Sequence, residues 1–158
     1  MLLGIYLNDH LTGSTVGREL ARRAAASNRH SSHGPFLDAL AQEIDEDRDS
    51  LIRIMEALGV HVDPVKVAAG WAVEKVARLK FNGRLSGYSP LSRVLELEGL
   101  ALGVRGKLAG WRTLQQLRPR MAALEPFDLD TLEQRAERQL EQLEAHRLEA
   151  AAKAFPDG

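Results

Sequence analysis

The sequence predicts an all-α protein. Three observations carry that prediction: apolar residues recur three and four apart along the chain, runs alternating apolar with polar residues are absent, and helix start and stop signals bound each apolar segment. The first helix is expected over residues 3–27, closed by the linker SNRHSSHGP. The second covers 35–58, with Pro35 in a first-turn position that needs no N–H and Gly59 as its stop. Asp63-Pro64 opens a shorter third helix over 64–81. After NGRLSGYSP breaks the chain, Ser89-Pro90 starts a fourth over 89–117. Pro119 stops the fourth, and Asp130 with Glu133 reads as a capping box for a fifth over 130–154.

A chain of 158 residues suits a single domain with one core, taken as residues 1–158. It contains no cysteine, which excludes disulfides, iron–sulfur clusters and thiol catalysis. Lys and Arg number 21 against 22 Asp and Glu, giving a net charge of -1 without a basic block, so no nucleic-acid partner is expected. The start MLLGIYLNDH has a short apolar run that meets Asn8, Asp9 and His10 at once. It is expected to be neither a signal peptide nor a membrane span, and a cytoplasmic location is the default. Without strands there is no strand-to-helix elbow for a serine nucleophile and no phosphate-cradling loop after a strand, so no catalytic residue is assigned.

The order of the segments is long, long, short, long, long, with EIDED on the second helix, ELE at Glu96–Glu98 on the fourth and QLEQLEAHR on the fifth. This layout resembles the ferritin-like four-helix bundle, in which a short additional helix serves the crossover between the second and third long helices. The resemblance covers nearly the whole chain and is one of architecture. The stretch LKFNGRLSGYSPLSRVLELEGLALGV also resembles a bacterial family that carries no assigned activity.

Ferritin-like proteins that hold two metal ions use a Glu from each of two helices and Glu-x-x-His from the other two. Here Glu43 is followed at that spacing by Glu46, and His146 is preceded at it by Leu143, so the full ligand set is missing. On the second helix Phe36, Leu37, Leu40, Ile44, Leu51, Met55 and Leu58 form the apolar stripe. Asp47 falls inside it, Glu43 and Arg48 at its margins, and Asp45, Glu46 and Asp49 toward water. The first helix places Leu3, Tyr6, His10, Gly13, Ser14, Gly17, Ala21 and Ala24 on its core line. The fifth places Arg147 on its stripe, Glu144 at the edge and His146 off it. The expected buried polar layer is therefore Glu43, Asp47, Arg48, Glu144, Arg147 and His10, with Arg48, Arg147 and Arg105 as partners of Asp47 and His10 as a hydrogen-bonded core histidine.

The functional expectation is a non-catalytic binding or structural module without a cofactor. The alternative is a metal-binding ferritin-like protein, an iron-handling protein or oxidoreductase, using Glu43, Asp47 and Glu144 with iron or another divalent metal. His30 and His33 sit in a Ser-rich linker and read as solvated loop residues unless a third partner such as Asp38 joins them. His61 reads as surface. On the fourth helix a second line, Leu95, Gly99, Leu102, Gly106 and Ala109, lies opposite the core stripe. It suggests a homodimer, or a cover formed by the third helix through Val65, Ala68, Ala72, Val76 and Leu79.

Overall fold

The computed structural model describes residues 2–68 and 87–156. Four long helices account for most of them: α1 (Leu2–Ser27), α2 (Gly34–Ala57), α3 (Pro90–Leu117) and α4 (Leu129–Ala154), with residues 64–68 also helical and no strand among the described residues. The fourth and fifth expected helices are thus α3 and α4. None of the helices found is long and apolar enough to cross a membrane.

Most boundaries follow from the signals in the sequence. Pro35 lies in the first turn of α2, and after its end Gly59 adopts φ 66°, a left-handed conformation that a side chain would strain. Ser89 Oγ accepts from Ser92 N while Ser92 Oγ accepts from Ser89 N, a reciprocal cap directly ahead of Pro90. The start of α4 differs from expectation. Asp128, not Asp130, is the cap, accepting from Thr131 N at 3.0 Å and Thr131 Oγ1 at 2.7 Å. One aspartate two residues earlier satisfies the free amides, and Asp130 becomes a first-turn acid bonded to Gln115 of α3.

Helices α1 and α2 form one antiparallel pair, and α3 and α4 another. Tyr6 meets Thr113 at one end of α1, and Asn28 accepts from Arg93 at the other, so α1 and α3 are antiparallel. Arg135 reaches Glu46 while His146 stacks on Phe36, so α2 and α4 are antiparallel too. Helices α2 and α3 consequently run the same way on opposite sides of a common core. The chain leaving α2 is held at Asn8, which bonds His61 O and Asp63 N. The chain entering α3 is held at Asn28, which donates to Tyr88. Asn8 and Asn28 are ~30 Å apart along α1 by the helical rise, so the connection starts and finishes at opposite ends of the helices. Ala72, Val76 and Leu79 lie outside the described residues. Of the proposed covering face, Val65 and Ala68 are exposed and Val67 instead packs against the core.

The buried apolar side chains form a continuous cluster that includes Leu11, Leu40, Ile54, Leu97, Leu114 and Leu143. On α1 Ala21 and Ala24 are buried as expected, but the first half of the expected line is corrected. Leu7, Leu11 and Thr15 are buried, whereas Tyr6, His10, Gly13 and Gly17 face α3 one step round the helix. Glycines present almost no apolar area, so the large leucines set the core face.

Candidate functional site

Asp47, which sits between Ile44 and Leu51 on the apolar stripe of α2, is 1 % exposed. Its partners differ from those expected. Lys107 Nζ of α3 donates to Asp47 Oδ2 at 2.5 Å and to Gln139 Oε1 of α4 at 2.5 Å, and Gln139 Nε2 passes the chain on to Glu43 Oε2 at 2.7 Å. Arg135 of α4 approaches Asp47 Oδ1 to 3.3 Å as an ion pair without a hydrogen bond. One relay, Asp47–Lys107–Gln139–Glu43, therefore joins three helices at mid-height. Burial lowers the pKa of Lys107, with Asp47 pulling the other way.

Of the other expected members, Glu43 belongs to this relay at the margin, while Glu144 and Arg147 do not. They bond each other on the outer face at 2.7 Å, Arg147 also nearing Glu98, and Arg105 is exposed. Residues 146 and 147 lie three and four places after Leu143, on either flank of the stripe. Arg147 takes the α3 flank and His146 the α2 flank. Arg48 is half-buried and is not an ion partner of Asp47, whose partners are Lys107 and Arg135. The missed residues carried a signal: Lys107 lies between Val104 and Trp111, and Gln139 between Ala136 and Leu143, each a polar residue at an apolar helical interval.

Above this relay a cavity of about 400 Å³ opens between α1 and α3. Its wall is mainly Leu7, Ile44, Leu51, Leu100, Val104 and Leu114, with Gly13 and Gly17 across from Gly103 and Gly106. A methyl group added at any of those four glycines would meet nothing within 4 Å. Elsewhere on the same seam a side chain fills the space a glycine leaves. A methyl at Gly99 would stand 3.1 Å from Leu20, and one at Gly110 would stand 3.1 Å from the His10 ring. His10 packs edge-on to Tyr6 with centroids 4.5 Å apart, a ring contact in place of the expected hydrogen bond. Burial lowers its pKa, against the opposing influence of Asp9.

Three residues lining this cavity carry buried polar atoms without a hydrogen-bond partner: Trp111 Nε1, Arg48 Nε and Asp47 Oδ1. Two are N–H donors and one is an acceptor. An unanswered buried donor costs about 1–3 kcal/mol, so such groups are normally met by protein, water or ligand.

Of the acids expected to face water, Glu46 and Asp49 are exposed and Asp45 is half-buried. Two of them also pair across the seams, Asp45 with Arg22 of α1 at 2.8 Å and Glu46 with Arg135 of α4 at 2.8 Å. His33 departs from expectation, being fully buried, with Nδ1 2.8 Å from His146 Nδ1. Burial lowers the pKa of both rings. His30 is exposed, and Asp38 joins neither ring. Comparison with family models, with curated proteins and with solved structures returns no match for this chain.

Proposed function

We propose that the chain is a ferritin-like four-helix bundle acting as a non-catalytic binding module, and that its cavity holds a small, mostly apolar molecule bearing a hydrogen-bond-accepting group. Support for the architecture comes from the helix directions, two antiparallel pairs with α2 and α3 parallel and a connection beginning and ending at opposite ends. The observation that carries the binding reading is the coincidence of an apolar cavity with unanswered donors, Trp111 Nε1 and Arg48 Nε, on its lining residues. The charged groups at its floor, Asp47 and Lys107, are engaged with each other and with Gln139, which leaves neither poised as a nucleophile or base. A metal centre at mid-height for iron handling or oxidation has less support, because Glu144 faces outward to Arg147 and does not join Glu43 and Asp47.

Decanoate is a suitable probe, with an apolar chain and a carboxylate. In a Trp71→Phe background it should change Trp111 emission saturably, and Gly103→Leu, which fills the cavity, should abolish the response while the circular dichroism stays helical. An unchanged response in Gly103→Leu, or none in the unaltered pocket, defeats the binding reading.

A homodimer through α3 has one specific observation in its favour: Leu102 is 73 % exposed, beside the open Gly106 and exposed Ala109. Gly99 and Leu95, by contrast, are half-buried, and Gly99 accommodates Leu20 of its own chain. Light scattering at micromolar protein should give a mass of two chains that Leu102→Asp reduces to one. A single-chain mass for the unaltered protein removes this reading.

A further inference from the structure

His33 occupies the position just before α2, in the turn that follows α1. That turn is tightly set: Asn28 O accepts from Ser31 N, and a methyl group added at Gly34 would stand 2.8 Å from Asn28 O. The backbone at His33 is therefore set by the turn, and His33 is fully buried. Facing it are His146 and Glu149, three residues apart on α4 and so on one side of that helix. The His146 ring is stacked on Phe36 with centroids 4.2 Å apart and planes 12° from parallel, which fixes its direction. One ligand atom from each of His33, His146 and Glu149 lies within 4.8 Å of the other two, and among the described residues no other trio of His, Asp or Glu is this close.

We propose that His33, His146 and Glu149 form a binding site for a divalent transition-metal ion of the zinc type, clipping the α1–α2 turn to α4. Two imidazole nitrogens and one carboxylate oxygen are the donor set such ions favour, whereas calcium and magnesium prefer oxygen alone. The imidazole nitrogens that face each other, Nδ1 of His33 and Nδ1 of His146, are 2.8 Å apart. A tetrahedral ion with metal–nitrogen bonds of about 2.0–2.1 Å needs them ~3.3 Å apart, a separation of roughly half an ångström more. Glu149 is already oriented by neighbours. Ser32 Oγ donates to its Oε1 at 3.2 Å and Lys153 Nζ donates to the same oxygen at 2.6 Å, so Oε2 has no hydrogen bond from the described residues. Outer groups of this kind hold a ligating carboxylate in place. Three protein donors leave a fourth position for water. The competing account of the same geometry is a hydrogen bond between two neutral imidazoles of opposite tautomer; the buried His33 Nε2 has no partner in either account, so zinc titration decides between them.

The test uses the full chain, stripped with chelator and dialysed. Zinc titrated calorimetrically should bind at one ion per chain, and cobalt should give visible absorption bands that zinc displaces. His146→Gln and Glu149→Ala, at half-buried and exposed positions respectively, should each weaken binding at least about tenfold, since even losing an outer-shell partner costs about that much. His30→Ala and His61→Ala, at exposed histidines outside the cluster, should leave it unchanged. Zinc should also raise the melting temperature of the unaltered protein and not that of Glu149→Ala. Absence of zinc uptake, or uptake equal in His146→Gln and Glu149→Ala, overturns the proposal and leaves an imidazole hydrogen bond.

Discussion

The α2–α4 seam and the α1–α3 seam solve the same packing problem in opposite ways. Between α2 and α4 long charged side chains interlock, Glu46 with Arg135, Glu43 with Arg138 and Gln139, and Phe36 lies flat on His146. Along the middle of the α1–α3 seam glycines recur on both helices, and contact there depends on whether a glycine meets a side chain or another glycine. Gly110 receives His10 and Gly99 receives Leu20, whereas Gly13, Gly17, Gly103 and Gly106 all border empty space. A glycine thus brings helices together only where the partner supplies the missing volume. Where both helices are bare, an open cavity results, and its lining lacks the protein contacts that a facing side chain would supply.

The largest expected effect tests the link between the two seams. Asp47→Ala should destabilise by about 3 kcal/mol in denaturant unfolding, because it strands the Lys107 ammonium among buried neighbours. A joint Asp47→Leu, Lys107→Met replacement should recover most of that loss, and a double variant no better than the single one breaks the ion-pair account. Next comes a contrast within one helix. Gly110→Ala should cost about 1–3 kcal/mol by pressing on the His10 ring, while Gly106→Ala should stabilise by about 0.5–1 kcal/mol, since it removes a helix-interior glycine and meets nothing. Equal signs for the two would mean that the seam is not divided into filled and open parts.

On the ion-paired seam a single exposed partner should matter little. Arg138→Ala should change stability by about 0.5 kcal/mol or less, its contact to Glu43 being 3.4 Å long and wet. The smallest effect is a slope. His10 should titrate below its ordinary value of 6.5 by nuclear magnetic resonance, because burial opposes its charge. Between its folded pKa and 6.5 the unfolded chain binds more protons, so the stability contribution is complete above pH 6.5 and is lost as pH falls through that window. His10→Phe should flatten this part of the profile, and a midpoint above 6.5 would break the reading of a half-buried ring.

The sequence alone determined the helices and their phase where large side chains mark it. Cap and proline signals place the starts of α2 and α3, and the interval of Asp47 from Ile44 and Leu51 predicts its burial. Those features are local, because capping and periodicity depend on residues within a turn or two. What the tertiary structure decided is which groups meet across helices. The partners of Asp47 are Lys107 and Arg135 and not Arg48, Arg147 or Arg105, and His33 lies buried against His146 in place of a solvated loop. Whether a glycine borders a side chain or a void was settled at the same level. Periodicity fixes an angle about a helix's own axis and says nothing of the height or rotation of its neighbour. A shift of one turn, about 5.4 Å, exchanges every cross-helix partner while leaving each helix's own pattern intact.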